Sequence, residues 1–422
     1  MERRKPNTKK TTRKSSYKQR DSRWKQSSNR GSSRPSRGRG RGRSGGGGGR
    51  RGYTFKSIDI VSFIDKVKKE SQTHKVFDIV NAFSDFAFDG RMKNNLKRLG
   101  FVTPTPIQDA AMVHIMEGED VIGLANTGTG KTGAFLLPLI SKVLQDQTQR
   151  VLIIAPTREL VIQIDDEFKQ FAKGTKLHSA TIIGGVGSQK QIHNLKRRPH
   201  FIIGTPGRLK DLFDRKALKL RFINNIVLDE VDRMLDMGFL PIVKGLINET
   251  RDNRQSLFFS ATMPSDIKKL AGEFLKNPIV VDRQAGRTAK NVTQEVITVD
   301  DATAKFHVLK KILNDAEKTL IFSETKRSVD KLTKQLMNMG VKADCIHGNK
   351  SQNRRQKSLT NFKQNKIEVL VATDVAARGL DIKGVDTVVN YTVPQSYDDY
   401  VHRIGRTGRA NAKGRAITLV TK

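Results

Sequence analysis

From Phe83 onward, short and uniformly apolar runs alternate with segments of helical periodicity, and that alternation leaves few architectures open. The runs occupy 120–125, 151–155, 180–183, 201–204, 225–228 and 256–259. After a polar, unpatterned stretch at 284–290 the rhythm resumes at 319–322, 344–347, 369–372, 387–390 and 416–420. A strand that is apolar at every position, rather than at every second one, is buried on both faces. Helices between successive strands supply the cover. The expected fold class is therefore α/β, with two tandem doubly wound parallel-sheet domains at 81–283 and 291–422 joined by a linker at 284–290. No short tandem repeat is visible.

The front of the chain is different. Residues 1–52 carry 19 Lys or Arg against Glu2 and Asp21, with an Arg-Gly run from Arg37 to Arg43 and five glycines at 45–49. Such a stretch cannot bury enough surface to offset its ordering entropy, so it is expected to be a disordered basic RNA-binding tail. Residues 53–80 form an N-terminal extension in which Ile60, Ile64 and Val67 share one face of a short helix near 59–69. No function follows from that segment. The tail accounts for +17 of the formal net charge of +36, so the remaining 370 residues are still strongly basic. A body with that charge calls for a polyanion, either nucleic acid or an anionic surface. No apolar run is long enough to span a bilayer, and the basic N-terminus lacks the apolar segment of a secretory signal. Cys345 is the only cysteine, which excludes intrachain disulfides and Cys-rich zinc sites and fits a reducing, cytoplasmic setting.

In open parallel sheets, ligands bind beyond the carboxyl ends of the strands. The unusual polar clusters fall there. The first run leads into Ala125-Asn126-Thr127-Gly128-Thr129-Gly130-Lys131-Thr132, a phosphate-binding loop with Ala in place of the usual first Gly. Small residues let consecutive backbone N–H groups curl around phosphate oxygens at a helix N-terminus. Lys131 then reaches the terminal phosphates, and the Thr132 hydroxyl can ligate Mg²⁺. The bland alternative is an ordinary Gly-rich turn. A second strand ends in Asp229-Glu230-Val231-Asp232. Opposite a phosphate loop, Asp229 can hold Mg²⁺ while Glu230 orients and deprotonates a water, although an isolated acidic pair is more often a solvated turn. The segment from His402 to Arg409 supplies Arg403, Arg406 and Arg409, but in the second domain. These arginines form either a basic nucleic-acid patch or fingers that complete the nucleotide site from across a cleft.

In ordered series, from about 83 to 421, these motifs resemble the DEAD-box RNA helicases of helicase superfamily 2, which have two RecA-like domains. The resemblance makes Pro104-Thr105-Pro106-Ile107-Gln108 the adenine-reading motif, with Gln108 on the adenine edge and Phe83 stacked on the base. It assigns RNA contacts to Pro156, Thr157, Arg158, Gly184, Gly185, Thr205 and Arg208, and in the second domain to Gln352, Arg355 and Thr373. Ser260-Ala261-Thr262 becomes the motif that couples hydrolysis to unwinding, and Gly379 and Asp381 contact the ATP ribose region. Arg406 and Arg409 match the fingers, and His402 matches a residue linked to Asp232. Two departures stand out. Val231 replaces the usual Ala and adds volume beside Asp232, which puts coupling rather than hydrolysis in doubt. The chain also ends about a dozen residues after Arg409, without the family's common terminal helix.

The expected activity is that of an ATP-dependent RNA helicase, an RNA-stimulated ATP hydrolase that clamps single-stranded RNA and locally unwinds short duplexes, using ATP and Mg²⁺. Its partner is RNA bound without sequence preference, and no membrane is involved. An RNA annealer driven by the tail, and an ATP-dependent clamp without productive unwinding, are the alternatives. A DNA helicase of the same superfamily is a further rival.

Overall fold

The computed structural model describes residues 59–72, 77–126, 128–284, 291–377, 382, 384–408 and 412–422. The expected disordered tail lies outside the described residues, as does the expected linker apart from Gln284.

Two all-parallel sheets dominate. The first comprises β1 (Val121–Leu124), β2 (Val151–Ile154), β3 (Ser179–Ile182), β4 (Phe201–Gly204), β5 (Asn225–Asp229), β6 (Gln255–Ser260) and β7 (Ile279–Asp282), in the order β3-β4-β2-β5-β6-β1-β7. The second comprises β8 (Val292–Val299), β9 (Thr319–Phe322), β10 (Ala343–Ile346), β11 (Val369–Ala372), β12 (Thr387–Asn390) and β13 (Gly414–Thr421), in the order β10-β11-β9-β12-β13-β8. Every residue of β1, β2, β4, β5, β6, β9, β11 and β12 is buried. Alternate residues enter opposite layers: Val151 and Ile153 join Phe135 and Ile140 on one face, while Leu152 and Ile154 join Leu209 and Leu246 on the other. Strands β7 and β8 fall outside the apolar runs. Both are sheet edges, and most of their residues keep some exposure, so polar residues such as Gln294 and Glu295 are tolerated and the continuous apolar signature is lost.

The extension at 53–80 does contain the expected helix, Ile60–Gln72, started by Asp59, whose carboxylate accepts from the Val61 N–H at 3.0 Å. Ile60, Ile64 and Val67 are buried against Val292, Tyr400, Ile404 and Ala416. Phe63 sets its edge on Tyr397 at 5.6 Å, and the Lys66 ammonium stands 4.2 Å from the centre of the same ring. A segment that precedes the first sheet in sequence is thus packed on the second, against the helix Tyr397–Ile404. Among the described residues no helix is long and apolar enough to cross a membrane. Ile64→Asp is expected to cost about 3 kcal/mol by placing a carboxylate in this contact. Val61→Ser, at a position 57% exposed, should leave the denaturation midpoint unchanged; equal midpoints for the two variants would show that the contact does not stabilise the fold.

Candidate active site

The loop after β1 is shaped by its close neighbours. Gly128 and Gly130 have φ of 80° and 93°, in the left-handed region where a side chain is strained. Gln108, on the helix Pro106–Glu117, donates through Nε2 to the Gly130 carbonyl at 3.0 Å, and its Oε1 accepts from the Thr105 N–H. A Cβ on Gly130 or Gly133 would sit 2.6 Å from Gln108 Nε2, so the glycines permit both the turn and the approach of Gln108. Lys131 opens the helix Lys131–Gln145, and its buried Nζ curls over the loop to the carbonyls of Ala125 (2.6 Å) and Asn126 (3.3 Å). Thr129 Oγ1 donates to the Asn126 carbonyl at 2.8 Å, and Thr132 follows half-buried on the helix. Phe83 is 5% exposed, with its ring centre 6.0 Å from that of Phe101. Thr127, Gly379, Asp381 and Arg409 lie outside the described residues.

Across the single intervening strand β6 from β1, β5 ends in the acidic pair. Asp229 is fully enclosed, and burial lifts its carboxyl to about 7 against the pull of Lys131. Glu230 turns the chain with φ 52° and ψ 55° into the helix Val231–Asp236. Burial pushes the Glu230 carboxyl up as well, but Arg233, Lys131 and Arg406 outweigh it and hold it below the ordinary range. Arg233 Nη1 lies 2.5 Å from Glu230 Oε2, an ion pair that sequence reasoning missed. Lys131 belongs to the first lobe and Arg406 to the second, yet both act on this one carboxylate. Arg406 is 3% exposed, and its Nε donates to the His402 carbonyl at the end of the helix Tyr397–Ile404.

Ser260 and its neighbours tie the two halves of the site together. The Ser260 carbonyl accepts from the Ala125 N–H at 3.1 Å, and its hydroxyl accepts from the Asp232 N–H at 3.2 Å. Asp232 Oδ2 in turn accepts from the N–H groups of Ala261 and Thr262 and from the Thr262 hydroxyl, at 3.1, 2.9 and 3.1 Å. Val231 is fully buried in the apolar layer with Leu228 and Phe258, and Asp232 keeps all of these bonds beside it.

A separate cavity of about 430 Å³ is lined by Pro156, Thr157, Arg158, Gly184, Thr205 and Arg208 together with Arg355 of the second lobe. The remaining member of that set, Gly185, has φ 76°, and a Cβ there would meet Arg158 Nη1 at 2.1 Å. Glu159 joins the lobes: its buried carboxylate accepts from Gln352 Nε2 at 3.1 Å and from Arg355 Nη2 at 2.8 Å. Glu159, next to Arg158 in the chain, was not among the residues nominated from the sequence. Thr373 closes β11, its carbonyl accepting from the Ala376 and Ala377 N–H groups. Arg403, one of the three arginines in the last motif, holds Asp374 bidentately at 2.6 and 2.7 Å and is 2% exposed, which marks it as a structural clasp.

Comparison with known proteins now decides the family. The DEAD/DEAH box helicase profile matches residues 105–270, and the profile of the helicase conserved C-terminal domain matches 304–411. The ATP-dependent RNA helicase CshA of Limosilactobacillus reuteri is 43% identical over 342 residues, covering 80% of this chain and 69% of the relative. The chain belongs to the DEAD-box family of ATP-dependent RNA helicases. The DEAD-box helicase CshA of Bacillus licheniformis is 44% identical over 80% of this chain and 70% of its own length. Among solved structures, S. cerevisiae Dbp5 bound to RNA and ADP BeF3 is 28% identical with a TM-score of 0.73, covering 81% of this chain and 90% of that one. The two sheets of this DEAD-box chain are accordingly RecA-like, as expected.

The elevated Asp229 carboxyl has a consequence for stability. The folded chain keeps a proton up to about pH 7 that the unfolded chain releases near its ordinary 3.8. The stabilising contribution is complete below the lower value and is lost as pH rises through the upper one. Asp229→Asn should therefore raise the nucleotide-free Tm by about 3 °C or more at pH 8, with the gain shrinking toward pH 5. A gain independent of pH would show that Asp229 titrates normally.

Proposed function

We propose that this DEAD-box chain hydrolyses ATP to ADP and phosphate while gripping single-stranded RNA across its two lobes, and that lobe closure separates short duplexes. The observation that carries this reading is the Glu230 carboxylate, which lies under the influence of Lys131 from one lobe and Arg406 from the other. A hydrolytic centre divided in this way works only when the lobes meet.

Each residue then has a task. Gln108, already bonded to the Gly130 carbonyl, reads the adenine edge beside Phe83 and relays its occupancy to the loop. The loop 125–130, Lys131 and Thr132 take the phosphates, with Lys131 leaving its own loop carbonyls for phosphate oxygens. An enclosed carboxylate with an elevated pKa calls for a cation, so Asp229 with Thr132 suits Mg²⁺, which would neutralise phosphate charge when bound. Glu230 is held ionised by its three cations, the state a general base requires. Arg406 and Arg409 act as the fingers that stabilise transferring phosphoryl charge. Asp232, Ser260 and Thr262 carry the state of the nucleotide site into the rest of the lobe, and His402 does so from the second lobe. Pro156, Thr157, Arg158, Gly184, Gly185, Thr205 and Arg208, with Gln352, Arg355 and Thr373, present hydroxyl, backbone and guanidinium donors. Such donors suit a nucleic-acid backbone and do not read base sequence. We place the activity in the cytoplasm, where ATP and RNA meet.

Glu230→Gln should lower RNA-stimulated ATP turnover by at least about 100-fold and abolish ATP-dependent duplex separation, while ATP and RNA binding persist. Strand separation by this variant equal to that of the wild type, and equal with and without ATP, would instead identify an RNA annealer.

A further inference from the structure

We propose that a basic groove on the first lobe, at the rim of the sheet opposite the nucleotide site, is a second binding site for single-stranded RNA. Three of its lining residues stand just before strands: Arg150 before β2, Pro199 two residues before β4, and Asn224 before β5. In a parallel sheet this is the amino-terminal rim. The phosphate loop, the acidic pair and the cavity beside Arg158 all follow strands, on the carboxyl-terminal rim. Strands of four residues put roughly 13 Å between the two rims.

The groove is large, about 1040 Å³, and one-sided in charge. Seven Lys or Arg side chains line it and no carboxylate does. None of the seven forms an ion pair with a described residue. Ordinary protein surface intersperses the two signs, because like charges brought together in a concavity repel. Burial holds Arg150 below its ordinary range and Arg198 adds repulsion, while Asp146, outside the lining, pulls the other way. Two of the cations also occupy costly backbone. Arg198 and Lys216 follow the ends of the helices Ser188–Lys196 and Pro206–Asp214 with φ of 51° and 57°, where glycine or asparagine is the usual occupant. A cation near a helix C-terminus is favourable, which explains the sign at these two positions but not the convergence of seven on one groove.

The chemistry favours a single nucleic-acid strand. Phe222 is an apolar ring left 49% exposed on the groove wall, and the Arg221 guanidinium lies 4.8 Å from its centre. An exposed ring beside a guanidinium is a stacking surface for a base, and the surrounding cations suit phosphates on either side. The flat ladder of a duplex offers no free base to that ring. An acidic peptide would use the cations but not the ring. Placed on the far rim, the groove would hold RNA flanking the strand gripped between the lobes. It would add affinity without touching the nucleotide.

The test uses the full chain, without nucleotide, so that it stands apart from the ATPase reading. A fluorescent single strand of about 30 nucleotides is titrated between about 50 and 200 mM salt. The combined Lys216→Glu, Lys219→Glu and Arg221→Glu variant, altered only at exposed positions, should bind it at least about 10-fold more weakly, with the log–log salt slope reduced by about 2. Phe222→Ala should weaken binding about 5-fold or more and leave the slope unchanged. ATP turnover stimulated by a saturating strand of about 8 nucleotides should be unaffected in both. A photoreactive uridine in the long strand should crosslink to residues 216–224. Unchanged RNA affinity in both variants overturns the proposal. So does displacement of the crosslinked strand by polyaspartate as readily as by unlabelled RNA, which would point to an acidic protein instead.

Discussion

A buried carboxylate surrounded by cations from two lobes is the constraint around which this structure is arranged. Burial alone would push the Glu230 carboxyl up. Arg233 compensates locally and Lys131 from the phosphate loop, but part of the balance comes from Arg406, which belongs to the other sheet. The electrostatics of the acidic turn and the relative placement of the lobes are therefore one problem. Asp229, beside it, has no such surplus of positive charge and is pushed the other way. In the proposed mechanism these two adjacent carboxyls, with their divergent environments, would divide the work of holding a cation and activating water.

The contacts between lobes follow the same pattern at the cavity beside Arg158. Glu159 is a buried anion of the first lobe whose partners, Gln352 and Arg355, come from the second. Removing either partner would strand a charge in a poorly solvated place, so the pair is costly to break piecemeal. Its cation, Arg355, also borders the cavity that collects Arg158 and Arg208. In the proposed reading, RNA entering there would compete for the Arg355 guanidinium and so alter how the lobes meet. Ser260 completes the circuit by bonding to both the Ala125 N–H and the Asp232 N–H, so that the phosphate loop and the acidic turn move together.

Much of this was legible in the sequence, and what escaped it has physical causes. Strands buried on both faces announce themselves as unbroken apolar runs, and those runs matched strand positions to within two residues. The edge strands β7 and β8 were not recognisable because half-exposed strands tolerate polar side chains. Lys131, Asp229 and Glu230 could be nominated because polar clusters stood at strand ends, and Arg406 because it lies in an arginine-rich segment of the second domain. Their meeting at one carboxylate could not, since it depends on how two sheets are set together. Arg233 and Glu159 were hidden for another reason: a charged residue in the first turn of a helix reads as solvated surface until its burial is known. The helix Ile60–Gln72 was visible from Ile60, Ile64 and Val67, but its attachment to the second sheet involves contacts more than 200 residues away in the chain.

The central claim, that the second lobe's arginine completes a hydrolytic centre in the first, is tested most directly by RNA-stimulated ATP turnover in Arg406→Ala, Glu230→Gln and the double variant. Groups acting as a unit are not additive: Arg406→Ala should fall by about 1000-fold, and the double variant should be no slower than Glu230→Gln alone. Wild-type turnover in Arg406→Ala, or losses that multiply in the double variant, would contradict it.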